Sequence, residues 1–386
     1  MKSKLSQLLN QMLFCFLTST RRFRPLKKET GKVLLVHFAH IGDFIIWLDS
    51  AKAYRKLFPN KQIVLLCRKF KNISIIAEST GLFDQIVVVD DSWSHRIGNV
   101  LKVMRDQYDV VINTRATRDM QSDIFVLAPR SCERIAPSSD YTLLNEQQVR
   151  CSDRAYTKVI PVDGIHTMEL IRNAQFVRKL GMPEFRASLP VLPTFAPPSS
   201  LPPLFFAVCV GANTIAKCWP EDRFATVIDA AINKYHLPCV LIGAVQEYEL
   251  AERVRSLCKD PKQVINFVGT TTLTEYIETV RAAKFLLTND TSAGHIAPAV
   301  KTPSLVIHAS WDYGRFFPYE IEEECTCIPY SVSASVSCCG CGKDPTRGGY
   351  SSCLDNGVMR CLLDVTTEDV LSCLDSAFPT AVGNAE

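Results

Sequence analysis

Carboxylates and a lysine placed where apolar runs give way to helical stretches are the residues of this 386-residue chain best suited to chemistry. Asp43 follows Gly42 in the loop HFAHIGD, directly after the apolar run KVLLV. A carboxylate there reads either as a general base that takes a proton from a hydroxyl or as a helix cap, with His40 a weaker candidate for the base. Lys217, in ANTIAKCWP after Gly211 and Ala212, reads either as a point charge that neutralises a departing phosphate or as solvated surface charge. The stretch LLTNDTSAGH sets Asn289, Asp290, Thr291, Ser292, Ala293, Gly294 and His295 between an apolar run and small residues of helical character. A helix start carries unpaired N–H groups and the positive end of the dipole, so a phosphate or pyrophosphate fits there. Thr291 and Ser292 would add hydroxyl donors, and Gly294 would let the ligand approach the backbone. The alternative is a plain cap made by Asp290 or Thr291, and His295 by itself reads more readily as a satisfied buried histidine. Arg115 and Arg118, in NTRATRD, would grip an acidic acceptor, or else sit as surface charge.

Such residues act together only if strands and helices bring them to one end of a sheet. KVLLV reads as a buried strand, Phe44 to Phe58 as a helix stopped by Pro59, and QIVLLC as the next strand, a β-α-β unit. Gln85 to Val89 and Asp109 to Asn113 are further strands. A second copy of the pattern starts at Phe205, about 173 residues on. There FFAVCVGA is strand and loop, Pro220 opens a helix, and PCVLIGA is the next strand. VINFVG, the turn and helix TTTLTEYIETVRAA, KFLLTN and SLVIHAS continue the alternation, which predicts parallel, doubly wound sheets with ligands outside the carboxyl ends of the strands. PTFAPPSSLPP (193–203) reads as a semi-rigid connector between two α/β domains, 31–192 and 204–386.

Composition narrows the function classes. With 47% hydrophobic and 22% charged residues the chain is globular and long enough for two cores. A net charge of +3, with no basic tract interleaved with aromatics, speaks against nucleic acid as a partner. Residues 1–30 differ from the rest, joining an apolar patch at Met12 to Leu17 to flanking Lys and Arg. The patch falls short of the ~20 residues needed to span a bilayer. This segment reads either as an amphipathic anchor on acidic lipid or as a docked or frayed helix, and either places the chain in the cytoplasm, with the inner membrane face as its peripheral station. Of sixteen cysteines, eight crowd into Cys325 to Cys373, where structural zinc, disulfide pairing and reduced loop thiols stay open. No G-x-G-x-x-G follows the first strand, no P-loop is present, and no Asp-x-Asp pair offers to hold a metal under a diphosphate. These absences weigh against a dinucleotide oxidoreductase and a P-loop nucleotidase, and leave a metal-free nucleotide-diphosphate site.

The joint pattern KVLLVHFAHIGDFIIWLDSAKAYRKLFP, GANTIAKCWPEDRFATVI and VGTTTLTEYIETVRAAKFLLTNDTSAGHIAPAVKTPSLVIHAS resembles glycosyltransferase family 9, the ADP-heptose:lipopolysaccharide heptosyltransferases, over residues 31 to 315. The resemblance implies an α/β fold of GT-B architecture, two Rossmann-like doubly wound parallel-sheet domains facing a central cleft. It implies acceptor binding by the first domain, donor binding by the second, inversion at the anomeric carbon and no catalytic metal. It makes Asp43 the catalytic base and Lys217 the donor-phosphate contact. Gly42, Gly211, Ala212, Thr270, Thr271, Thr272, Leu273 and Asn289 to His295 fall to the donor site. His40, Arg115 and Arg118 fall to the acceptor. The partners implied are a nucleotide sugar, as substrate, and a lipid-linked saccharide, with domain closure about 193–203 excluding water. Where the family has D-T-G, this chain has Asp290, Thr291 and Ser292. A non-catalytic nucleotide-sugar-binding module of the same fold is the alternative.

Overall fold

KVLLV forms β1 (Lys32–Val36), and the four residues after Lys32 are fully buried, the mark of a strand covered on both faces. It lies at the middle of a parallel sheet with β2 (Gln62–Arg68), β3 (Gln85–Val89), β4 (Gln107–Asn113), β5 (Arg130–Pro137) and β6 (Lys158–Ile160), in the order β3-β2-β1-β4-β5-β6. The helices of this part are α1 (Lys2–Thr20), α2 (Ile41–Leu57), α3 (Ile73–Thr80), α4 (Arg96–Val103), α5 (Met120–Leu127), α6 (Glu146–Ser152) and α7 (Glu169–Leu180). The computed structural model describes residues 2–20, 29–69, 72–90, 92, 94–343 and 353–379. It forms two units, Met1–Ile165 with Leu170–Ala187, and His166–Glu169 with Ser188–Glu386.

The second unit repeats the first sheet's topology. Its strands β7 (Phe206–Cys209), β8 (Cys239–Leu241), β9 (Val264–Asn266), β10 (Leu286–Asn289), β11 (Ser304–Ile307) and β12 (Tyr330–Val332) run parallel in the order β12-β11-β10-β7-β8-β9. Its helices are α8 (Glu221–Tyr235), α9 (Tyr248–Leu257), α10 (Leu273–Ala282), α11 (Ser292–Ala299), α12 (Arg360–Leu363) and α13 (Thr367–Ala377). In each sheet successive strands step one way from the first strand and the other way from the fourth. The gap between β1 and β4, and that between β7 and β10, is therefore a topological switch point, where open α/β sheets leave room for a ligand at the strands' carboxyl ends.

Several sequence expectations are adjusted. The helix read from Phe44 begins at Ile41, so Gly42 and Asp43 lie in its first turn and His40 is the extended residue before it. Pro220 is likewise the residue before α8 rather than its first member. The 193–203 stretch belongs with the second unit, since the change of unit falls between Ala187 and Ser188. Arg281 of α10 donates to the Leu192 and Pro193 carbonyls, and the Phe195 N–H donates to Glu278. Strand β5 escaped notice because Arg130, Glu133 and Arg134 interrupt its apolar pattern, and only its second half is buried. Residues 21–28, the basic half of the N-terminal segment, lie outside the described residues. Helix α1 itself docks on the first unit, with Phe14 and Leu17 in its core and Arg96 donating to Ser6 and Asn10.

All sixteen cysteines are free thiols. The buried ones inside strands, Cys67, Cys209 and Cys239, serve as small apolar fillers, and burial pushes the Cys67 thiol up to about 12.

A buried polar group behind β4 also shapes the first unit. Tyr156 donates to Asp123 of α5 and accepts from Asn113 Nδ2 at 2.8 Å. Burial pushes the Asp123 carboxyl up to about 7. A carboxyl whose folded ionisation lies above its unfolded one stabilises fully below the unfolded value of about 3.9, and that contribution is lost as pH rises through 7. Asp123→Asn copies the protonated acid, so the variant is expected to gain on wild type in stability by roughly 2–3 kcal/mol between pH 5 and pH 8. Urea unfolding at both pH values checks this; parallel pH profiles would show that Asp123 does not titrate in this range.

Candidate active site

Each switch point is spanned by a charged pair. In the first unit, Asp43 at the start of α2 accepts from Arg115 Nη2 at 3.2 Å, and Arg115, just past β4, also donates to the Phe38 carbonyl. The guanidinium thus ties the loop after β1 to the loop after β4 and fixes where the carboxylate lies. Both side chains keep partial access to solvent, at 21% for Asp43 and 16% for Arg115. His37, at the end of β1, stacks on Trp47 and shares a hydrogen bond with Thr114, so the loop rests on an aromatic floor. Burial, and then the Arg115 charge, hold the His37 imidazole well below its ordinary value, hence neutral.

Arg118 does not join Arg115. It is 1% exposed, its guanidinium donates to Asp153 at 2.6 Å, and it lies over the Tyr156 ring. Surrounded by Asp123 and Tyr156, it compensates a buried acid inside the unit, which corrects its assignment to the acceptor.

In the second unit the polarity is reversed. Lys217, after β7, donates to Asp290, after β10, at 2.6 Å, and stands 3.6 Å from Asp312, after β11. Burial pushes the ammonium's ionisation down, but the two carboxylates more than offset this and raise it, so Lys217 stays charged. Burial pushes Asp290 up, and Lys217's charge and hydrogen bond reverse that and hold it below the ordinary carboxylate range.

The loops carrying this pair are stitched by Asn289. Its side-chain oxygen accepts from the Trp219 N–H at 3.1 Å, and its nitrogen donates to the Val210 carbonyl at 2.7 Å and towards that of Gly211. Trp219 in turn donates from its indole to the Val365 carbonyl, which anchors the end of the Lys217 turn. Asn289 is therefore a tie between strand ends, fully buried and turned away from any ligand.

The start of α11 is more occupied than an open anion site. Thr291 caps the helix, its hydroxyl accepting from the Ala293 N–H, while the Gly294 N–H reaches the Thr291 carbonyl. Among the described residues the Ser292 N–H has no protein partner, and Ser292 is only half-buried. Gly294 does not make room for a ligand. A β-carbon there would sit 3.0 Å from Phe317 and 3.1 Å from Val306, so it is a packing glycine. His295 is buried, stacked on Phe317 and hydrogen-bonded to Tyr319 at 2.7 Å, which is the satisfied-histidine reading.

At the neighbouring strand ends, Thr272 caps α10 in a capping box with Glu275, with Leu273 next in line, and Thr270 donates to the Phe267 carbonyl. Thr271 lies half-buried between them, as does Ala212 in the β7 loop. Sequence reasoning missed Glu247. Its carboxylate accepts from the Ala244 N–H at 2.7 Å and lies against Gly211, where any β-carbon would overlap it. Burial pushes its carboxyl up. The paired glycines, Gly211 and Gly243, were the available signal. Asp312 was missed as well, because SWDY carries no helix-start pattern. Among the described residues no group of three or more His, Cys, Asp and Glu is placed to hold a metal.

Asn289→Ala would strand the Trp219 N–H and the Val210 carbonyl in the interior, for an expected loss of about 2–4 kcal/mol. Denaturant unfolding measures it, and a loss under 1 kcal/mol would mean that water or a neighbour replaces the amide.

Residues 166–339 match the family model described as glycosyltransferase family 9 (heptosyltransferase). Lipopolysaccharide heptosyltransferase 3 of Escherichia coli strain K12 is 22% identical over 309 residues, 72% of this chain and 82% of that protein. Lipopolysaccharide heptosyltransferase 2 of Salmonella typhimurium strain LT2 is 27% identical over 171 residues, 44% of this chain and 45% of that protein. Among solved structures, a glycosyl transferase family 9 protein of Veillonella parvula superposes with a TM-score of 0.69 at 15% identity, covering 92% of this chain and 99% of its own. ADP-heptose lipopolysaccharide heptosyltransferase II of E. coli gives 0.64 at 16%, covering 90% and 98%. These likenesses carry the GT-B fold, with its two parallel Rossmann-like sheets. Residues 166–339 thus carry the match to glycosyltransferase family 9, and the likeness in fold to solved family members extends over both units.

Proposed function

We propose that this protein is an inverting, metal-independent glycosyltransferase that moves a heptose or related sugar from a nucleoside-diphosphate donor, ADP-heptose in the first instance, to a saccharide of lipopolysaccharide-core type. The observation that carries this reading is Lys217, a cation kept charged beside the start of α11 at the second unit's switch point. An ammonium and a helix-start amide are a natural pair for a diphosphate that gains charge as it leaves.

In the proposed reaction the acceptor hydroxyl attacks the anomeric carbon from the face opposite the leaving group. The new C–O bond forms as the bond to the diphosphate oxygen breaks, and that electron pair stays with the nucleoside diphosphate. Asp43 takes the hydroxyl proton, with Arg115 holding the carboxylate in position. Lys217 and the Ser292 N–H stabilise the charge on the departing diphosphate. Gly42 lies in the first turn of α2 just ahead of Asp43, and His40, exposed before the helix, is assigned to the acceptor. Ala212 and Thr270 to Leu273 border the nucleotide.

A non-catalytic binding module is favoured by one observation, that Asp43 and Lys217 are each held in an ion pair. Turnover separates the two readings. Asp43→Asn is expected to leave ADP affinity unchanged within about twofold while acceptor-dependent release of ADP falls by roughly 10²-fold or more. Equal losses of binding and turnover would make Asp43 a structural residue, and ADP binding without turnover of any donor would leave the module.

A lipid-linked acceptor places the reaction at the cytoplasmic face of a membrane, and α1 supports that placement. The face of α1 opposite Phe14 and Leu17 presents Leu8, Met12 and Phe16, each more than half exposed and spaced by four. Seven of the chain's 43 Lys and Arg, and none of its 40 Asp and Glu, fall in residues 1–28, so the rest of the chain is net acidic. No described helix is long and apolar enough to cross a membrane, and the pattern is that of a helix lying in an anionic interface. Sedimentation with vesicles containing phosphatidylglycerol is expected to retain the protein at low salt. The triple change Leu8→Ser, Met12→Ser, Phe16→Ser should lower partitioning by roughly tenfold or more. Unchanged partitioning would leave α1 a docked helix only.

A further inference from the structure

Three neighbouring strand ends, those of β7, β10 and β11, each send one ionisable side chain to the same spot. Lys217 Nζ lies 2.6 Å from Asp290 Oδ2 and 3.6 Å from Asp312 Oδ2, and both carboxylate side chains are 10% exposed. The ammonium also stands over the Trp311 ring, 5.7 Å from its centre. Trp311 is locked from behind by the cysteine-bearing tail: it lies flat on Gly342, where a β-carbon would overlap the ring. The tail turn at 341–343 therefore fixes the turn at Ser310–Asp312 that aims at Lys217.

The charges do not balance. One half-buried cation faces two carboxylates, and a diphosphate diester entering beside Lys217 brings two more negative charges. Like charges brought this close repel strongly even in a partly polarisable interior. Of the other groups around Asp312, only the Arg315 charge favours its ionised form, in part. Arg315, on the same turn, is drawn to Glu169 at 3.6 Å. His308, at the end of β11, is held below its ordinary value by burial and is neutral above pH 6.5. Cys361 of α12 is a thiol that burial pushes up to about 11. Of the two acids, Asp290 makes the short bond to the ammonium and keeps its charge, whereas burial pushes the more distant Asp312 up.

We propose that Asp312 holds Lys217 in the free protein and takes up a proton when the donor's diphosphate enters, its O–H then turning to a phosphate oxygen while Lys217 is shared between Asp290 and the phosphate. The inference rests on the donor-site reading above and adds a residue and a proton to it. Its sign is fixed. The diphosphate raises the Asp312 ionisation above its value in the free protein, so affinity is highest where Asp312 is already protonated and falls as pH rises through that range, by at most tenfold per pH unit for a single proton.

The test uses ADP-ribose, a diphosphate diester with no group titrating between pH 5 and 9, and the full-length protein. Calorimetric titration at pH 7 in PIPES and in Tris, whose ionisation heats differ, should show net proton uptake on binding. Kd should weaken by roughly three- to tenfold between pH 6 and pH 8. Asp312→Asn should abolish both the uptake and the pH slope, and His308→Gln should keep them. Should the asparagine variant fail to fold, Asp312→Glu must shift the pH at which affinity falls. Binding by wild type without proton exchange, uptake that survives in Asp312→Asn, or an unshifted glutamate profile overturns the proposal while leaving the donor site intact. Failure of wild type to bind either ADP-ribose or ADP removes the donor site, and the proposal with it.

Discussion

A lysine ammonium held out of bulk water at a sheet's switch point stays charged only if carboxylates come to it. That requirement organises the carboxyl end of the second sheet. Asp290 and Asp312 must arrive from separate strands, so the ends of β7, β10 and β11 have to be held in register. Asn289 performs that task between the first two, joining Val210, Gly211 and Trp219 through one amide, and Trp219 hands the load on to Val365. Most of the polar residues in these loops are consequently engaged with the protein. The anion that Lys217 would receive is left with the ammonium, the Ser292 N–H and little else from this end of the sheet, which makes the lysine's aim the property most exposed to damage.

The two units use one topology with exchanged charges. In the first the acid follows the first strand and the base follows the fourth, as Asp43 and Arg115; in the second the base follows the first strand and the acid the fourth, as Lys217 and Asp290. A carboxylate steadied by a guanidinium that cannot lose its proton is suited to accepting one from a substrate hydroxyl. An ammonium steadied by carboxylates is suited to receiving anionic oxygen. In each pair the partner holds the loop charge in place. The same topology thus presents opposite charge arrangements because the charge sits on the loop and not on the sheet.

The sheets and their repetition were legible because buried parallel strands read as short unbroken apolar runs, as in KVLLV and KFLLTN. Lys217, Asp43 and the Asp290 junction were legible because each follows such a run. Asp312 and Glu247 were not, since neither belongs to a local pattern and both gain their significance from residues more than 30 positions away. Arg118 misled for the opposite reason. Beside Arg115 in NTRATRD it shares a motif, but the chain turns between them and sends one guanidinium to Asp43 and the other to Asp153 and Tyr156. Charged residues next to each other in sequence say little about a shared destination when a strand has just ended.

The serine in Asp290-Thr291-Ser292 can be judged from the same geometry. A glycine is demanded where the backbone enters the left-handed region or where a β-carbon has no room. Ser292 meets neither condition: it is the first residue of α11, has no positive φ, and its side chain is half-buried. Close packing falls instead on Gly294, under Phe317 and against Val306. Serine therefore keeps the N–H at the helix start and adds a hydroxyl beside it, and it leaves the path of the chain as it was. Any shift in donor preference that it brings must come from that added hydroxyl, because the helix start, its threonine cap and the Lys217–Asp290 bond are all in place with serine present.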